Sequence, residues 1–155
     1  MKVIFLDIDG VLNRIGCKEL IHGIYFVMDE KILLLKEIIE ATDAKIVLSS
    51  TWRYGIPDVE NGVYSENAFD YLALEKKLAE FDIEIMSYTP ISDPEFRGHE
   101  IDEWLQTWKG ETIESFVILD DGNRMKPHNA KLVQTSFMKG LEPKHVKKAI
   151  NILND

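Results

Sequence analysis

Short apolar runs stopped by polar residues recur along this chain, and segments of helical periodicity separate them. The first run, Lys2 to Ile8, is rich in Val and Ile, and at its end stand two carboxylates one residue apart, Asp7 and Asp9, with Gly10 behind them. Lys45 to Leu48, Ile83 to Met86 and Phe116 to Leu119 read the same way, and Lys131 to Thr135 is a fifth candidate. Runs that are apolar on both faces belong in a sheet covered on both sides. Strands that alternate with helices make such a sheet parallel. The expected fold is α/β, a Rossmann-like parallel sheet of about five strands with helices on both faces.

The helices follow from spacing and caps. Asp29 is expected to cap a helix with Ile32, Leu35, Ile38 and Ile39 on its apolar face, and Ser65 one with Phe69, Leu72, Leu78 and Phe81. Two more run from about Gly98 to Trp108 and from Glu142 to Leu153. Leu12 to Val27, broken by Gly16 and Gly23, suits a hairpin-like flap, and Gly55 to Gly62 a loop. With no repeat, low-complexity tract or long linker, residues 1–155 are expected to form one domain.

In open parallel sheets ligands bind outside the carboxyl ends of the strands. Asp7 and Asp9 stand at the first end, Ser49 at the second, Asp120 and Asp121 at the fourth, and Arg97 opens the helix after the third. Acids gathered at one edge repel and take up protons unless a cation intervenes. Mg²⁺ prefers such oxygen ligands, and the absence of a His or Cys set disfavours zinc. Hydroxyl, arginine, metal and a free carboxylate together suit phosphoryl transfer.

Other classes are disfavoured. The formal net charge of -9 argues against broad nucleic-acid binding, though not against a small basic pocket. No apolar run approaches the ~18 residues of a membrane span, and Asp7 and Asp9 interrupt the N-terminus too early for a signal peptide. The single Cys17 cannot form an internal disulfide, which points to a cytoplasmic setting. No GxxxxGK[ST] occurs, so an ordinary P-loop enzyme is excluded.

FLDIDGVLN, IVLSST, RGHEIDEWL and FVILDDGN resemble, in order, the four motifs of the haloacid dehalogenase-like (HAD) phosphohydrolases. The resemblance runs from Val3 to Asn123, and the nearest likeness is to the HAD phosphatase domains linked with RNA-repair proteins. It implies a sheet order 3-2-1-4-5 and a Mg²⁺-dependent phosphatase. Asp7 matches the nucleophile and a metal ligand. Asp9 matches the general acid/base, its backbone carbonyl also binding metal. Ser49 matches the phosphoryl-holding hydroxyl, with Ser50 and Thr51 as alternatives, and Gly10 a tight phosphate-facing turn. Arg97 stands where the family usually has lysine. Asp120 matches a direct metal ligand, and Asp121 supports the metal through water or through a bond to one of its ligands. Neither insertion point leaves room for a substantial cap, so an open site and a large phosphorylated substrate, such as a nucleic-acid end, are expected. The alternatives are a small-molecule phosphatase or phosphotransferase of the same fold, and less readily a receiver-like or inactive binding domain.

Outside the motifs, Arg14, Arg53, Arg124 and Lys126 either frame a polyanionic substrate or are ordinary solvated charges. Trp52 and Tyr54 either stack on a base or pack in the core or rim, while Trp104 and Trp108 are expected in the core. His22, His99, His128 and His145 are scattered and carry no assigned role.

Overall fold

The computed structural model describes residues 1–155. Strand β1 (Lys2–Leu6) lies at the centre of a five-stranded sheet. Two hairpin strands come next, β2 (Leu20–Ile21) and β3 (Ile24–Tyr25). The other sheet strands are β4 (Lys45–Leu48), β5 (Ile85–Tyr88), β6 (Ser115–Asp120) and β7 (Leu132–Gln134). They pair in parallel in the order β5-β4-β1-β6-β7. With the hairpin strands left out, this is the expected 3-2-1-4-5.

Alternation along β1 divides the core. Ile4 and Leu6 face one side, which α1 (Asp29–Thr42), α2 (Ala68–Ala79) and α4 (Pro143–Asn154) cover with Leu35, Leu74 and Ala149 among others. Val3 and Phe5 face the other side, where α3 (Arg97–Thr107) packs Ile101 and Trp104. The β2–β3 hairpin turns through His22 and Gly23, both at positive φ, as a two-residue type I′ turn requires. No helix is long and apolar enough to cross a membrane.

Several local expectations are corrected. Asp29 is the first helical residue rather than the cap; Met28 holds the cap position without a side-chain bond, and Asp29 and Glu30 meet the helix dipole instead. Asn67, not Ser65, precedes α2, and the Ser65 hydroxyl accepts from the Asn67 amide. The buried stripe of α2 is Ala68, Tyr71, Leu74 and Leu78, which leaves Phe69 and Leu72 exposed. Phe69 instead meets the His22 ring of the hairpin, at a centroid distance of 4.8 Å. The third sheet strand starts at Ile85, not Ile83: the Ile83 amide bonds to Leu78 and closes α2, so its burial belongs to a helix end. Trp104 is core, whereas Trp108 is half-buried and stacks on it at 4.7 Å.

Candidate active site

The parallel ladder continues one residue past its strands. The amides of Asp7, Ser49, Thr89 and Thr135 donate to the carbonyls of Leu119, Leu6, Leu48 and Asp120. These four residues and Asp120 are therefore a buried polar row along the carboxyl edge of the sheet. Thr89 and Thr135 were not legible as members, because the shifted β5 and the short β7 decide them.

Asp7, Asp120 and Asp121 each offer a carboxylate oxygen within 4.8 Å of the others. Burial first, and the Asp120 carboxylate next, push the Asp7 carboxyl well above the usual carboxylate range; Arg97 pulls it back only in part. Asp121 is raised by the same two causes. The Arg97 Nη1 lies 3.1 Å from Asp7 Oδ1 and 2.6 Å from Asp120 Oδ2. Burial disfavours the charged guanidinium, but the two carboxylates more than offset this and hold it protonated. With all groups ionised, three carboxylates against one guanidinium leave two negative charges, the complement of one divalent cation. An all-oxygen donor set of this kind fits Mg²⁺. A cleft of about 430 Å³ opens over these residues, with Thr51, Glu95 and Arg124 also on its walls.

Two glycines let the elements close in. A Cβ at Gly10, where φ is +81, would overlap the Asp121 carboxylate. Its amide donates to Asn13 Oδ1 (2.9 Å) and its carbonyl accepts from Thr135 Oγ1 (2.6 Å). Gly10 thus serves the turn and makes room for Asp121, and its N–H is not free for the phosphate expected there. A Cβ at Gly98 would overlap the Met125–Lys126 backbone, so glycine allows α3 to deliver Arg97 against the loop after β6.

Asp9 stands apart from the acidic triad. Its Oδ1 accepts from Asn13 Nδ2 (2.9 Å) and its Oδ2 from the Trp52 indole Nε1 (3.2 Å). Its carboxylate is not grouped with those of Asp7, Asp120 and Asp121. Trp52 is buried. It packs and positions a carboxylate, and is not free to stack on a base. Asn13 sat in view four residues after Asp9. Nothing in the sequence marked Trp52 as its partner.

The three hydroxyls after β4 separate clearly. Ser50 Oγ caps the following 3₁₀ turn (Thr51–Gly55) by accepting from the Trp52 amide. Thr51 lines the cleft. Ser49 is 1% exposed, and its hydroxyl has no hydrogen-bond partner.

Arg53 is not part of a basic rim. It is buried, pairs with Glu100 at 2.8 Å, and donates to the carbonyls of Ser50, Thr89 and Pro90. The second Glu100 oxygen accepts from the amides of Ser92 and Asp93. This network joins the loops after β4 and β5 to α3, the helix that carries Arg97. Removing one partner would strand a buried charge, a cost of about 3–5 kcal/mol. Of the other rim candidates, Arg124 lines the cleft, Lys126 is exposed, and Arg14 bonds to the carbonyl of Ile15.

Residues 3–146 match the family described as the HAD domain in Swiss Army Knife RNA repair proteins. The chain belongs to this family. Membership points to a HAD-type hydrolase, a class whose members generally use a divalent metal, and the acidic triad fits such a site. No curated protein and no solved structure matches the chain.

The raised Asp7 and Asp121 carboxyls have a consequence for stability. The folded protein keeps these protons to higher pH than the unfolded chain, so it binds more protons between the two values. Stability of the metal-free protein is therefore expected to fall as pH rises through that window, upward from about 4. Mg²⁺ should raise Tm more at pH 7.5 than at pH 5, because at low pH it competes with those protons. Calorimetry with Mg²⁺ and with EDTA measures the difference; a Mg²⁺ gain independent of pH would contradict the coupling.

Proposed function

We propose that the chain is a Mg²⁺-dependent phosphomonoester hydrolase acting through an aspartyl-phosphate. The observation that carries this reading is Asp7, buried at a strand end between Arg97 and the second acidic pair and open to the cleft. In this reading an Asp7 carboxylate oxygen attacks phosphorus opposite the departing oxygen. The bond from phosphorus to the leaving group breaks, and Asp9 gives its proton to the leaving oxygen. Asp9 then takes a proton from water as the water oxygen attacks the same phosphorus. The Asp7–phosphorus bond breaks, and inorganic phosphate departs. Arg97 faces the phosphoryl oxygens and keeps Asp7 oriented. Asp7, Asp120, Asp121 and the Asp9 carbonyl would hold Mg²⁺, which when bound screens the carboxylates and polarises the phosphoryl group.

Ser49 supports the reading through its unmet hydroxyl. A buried unmet polar group costs about 1–3 kcal/mol, a cost that bonding to a phosphoryl oxygen relieves. Ser49→Ala is expected to leave Tm unchanged or raised while lowering phosphate release by about tenfold or more, the worth of a hydrogen bond to a charged group. Melting curves and initial rates on one preparation check both halves.

The RNA-repair link of the family supports nucleic-acid ends as substrates. Small phosphate esters are the second reading, favoured by the net charge of -9 and by the burial of Arg53. Phosphate release should be measured with Mg²⁺ across small esters, phosphopeptides and 3′- or 5′-phosphorylated oligonucleotides. Activity should vanish in EDTA and be inhibited by Ca²⁺, whose looser shell would misplace Asp7. Activity that survives chelation would refute the metal requirement. An oligonucleotide preference that weakens with salt favours the nucleic-acid reading; no preference at any salt favours the small ester.

A further inference from the structure

Asp9 borders more than the acidic cleft. It also lines a second cleft of about 190 Å³, shared with Ile24, Thr51, Trp52, Tyr54, Asn67 and Asp70, in which Trp52 is buried and its indole N–H is taken by Asp9. If Asp9 protonates the leaving oxygen, the leaving group must lie within reach of Asp9 on the side away from Asp7. The second cleft is lined by Asp9 and not by Asp7.

Its lining is selective. Ile24, at the tip of the hairpin, is 46% exposed and Tyr54 is 40% exposed, so an aliphatic and an aromatic side chain are both available for contact. Some of its polar groups are already paired and others are open. One Asp70 oxygen accepts or shares a proton with His22 Nδ1 at 2.7 Å, which ties the hairpin to α2, and the other is unengaged. The side-chain amide of Asn67 and the hydroxyls of Thr51 and Tyr54 belong to exposed residues and are open to a ligand. No lysine or arginine lines this cleft, so a further phosphate placed here would face Asp9 and Asp70 without a counter-charge.

We propose that this cleft is the seat of the leaving group and takes an uncharged nucleoside, its ring against Tyr54 and Ile24 and its hydroxyl or amino donors toward Asp70 and Asn67. The proposal rests on the assignment of Asp9 above. A free mononucleotide and a nucleic-acid end share this terminal nucleoside, and both should use the seat.

The test compares wild type, Tyr54→Ala and Asp70→Asn on three substrates: adenosine monophosphate, a 5′-phosphorylated oligonucleotide ending in adenosine, and acetyl phosphate, which has no ring to seat. The ratio of kcat/KM for either nucleotide substrate to that for acetyl phosphate should fall about tenfold or more in Tyr54→Ala, the scale of one lost base stack. It should also fall in Asp70→Asn, which keeps the shape and the His22 contact. A second arm needs no turnover: adenosine alone, titrated into the full chain, should shift the NMR signals of Ile24 and Tyr54, and the Tyr54→Ala variant should lose this binding. Unchanged ratios, or adenosine that leaves Ile24 unperturbed, overturn the seat. A fall confined to the oligonucleotide also overturns it, since the cleft would then read the strand and not the nucleoside. A wild type that hydrolyses no ester but binds adenosine at Ile24 and Tyr54 refutes the hydrolase reading and the leaving-group role, while upholding the cleft as a nucleoside site.

Discussion

Asp7→Asn is expected to reduce phosphate release to background and leave the protein folded. The substitution keeps the size of the side chain and removes the nucleophilic oxygen charge. It also removes a carboxyl whose ionised form burial and the Asp120 carboxylate disfavour. The metal-free variant should therefore melt no lower than wild type at pH 7.5, even though Arg97 keeps only Asp120 as a partner. Initial rates with saturating Mg²⁺, paired with a melting curve, give both readouts. A folded variant that retains a substantial share of wild-type turnover would remove Asp7 from the nucleophile's role.

Asp9→Asn is expected to lower the rate by about 10² to 10⁴, the usual worth of a general acid/base. Metal binding should persist, because the backbone carbonyl is unchanged. With a good leaving group, phosphate should accumulate on Asp7, since water is no longer activated, and mass spectrometry of acid-quenched protein can detect it. The substitution has a second effect peculiar to this site. Both Asp9 oxygens accept from N–H donors, so an asparagine amide must point its own N–H₂ at either Asn13 or Trp52. Some misorientation therefore accompanies the loss of the proton carrier. Trp52→Phe separates the two: it frees one Asp9 oxygen but keeps the acid, and should cost much less than Asp9→Asn. Equal losses in the two variants would mean that position, not proton transfer, is what Asp9 supplies.

Much of the site lies in short segments whose meaning is local. An apolar strand that stops at Asp7, a second that stops at Ser49, and a third that stops at Asp120 are each recognisable within about ten residues. Their convergence follows from parallel pairing alone, because register between β1, β4 and β6 aligns the strand ends. Arg97 was visible because it opens a helix, where a cation is out of place against the dipole. The hairpin turn was legible in part, since Gly23 marked it.

What the sequence by itself determined is thus the α/β alternation, the strand ends and the residue types on them, all carried by period, composition and turn chemistry acting over short range. Tertiary structure decided which of those side chains are free. Arg53 reads equally as a rim cation or a solvated charge, and Glu100, 47 positions away, takes it into the interior instead. Trp52 reads either as a stacking platform or as packing, and its indole N–H bond to Asp9, 43 positions back, decides for packing. Ser49, Ser50 and Thr51 are chemically near-equivalent as a string, and the structure alone separates a cap, a cleft wall and an unmet hydroxyl. The buried stripe of α2 and the start of β5 also shifted, because which face a helix buries depends on what packs against it. A polar group's role depends on whether its hydrogen bonds are already taken, and its partners here come from distant parts of the chain.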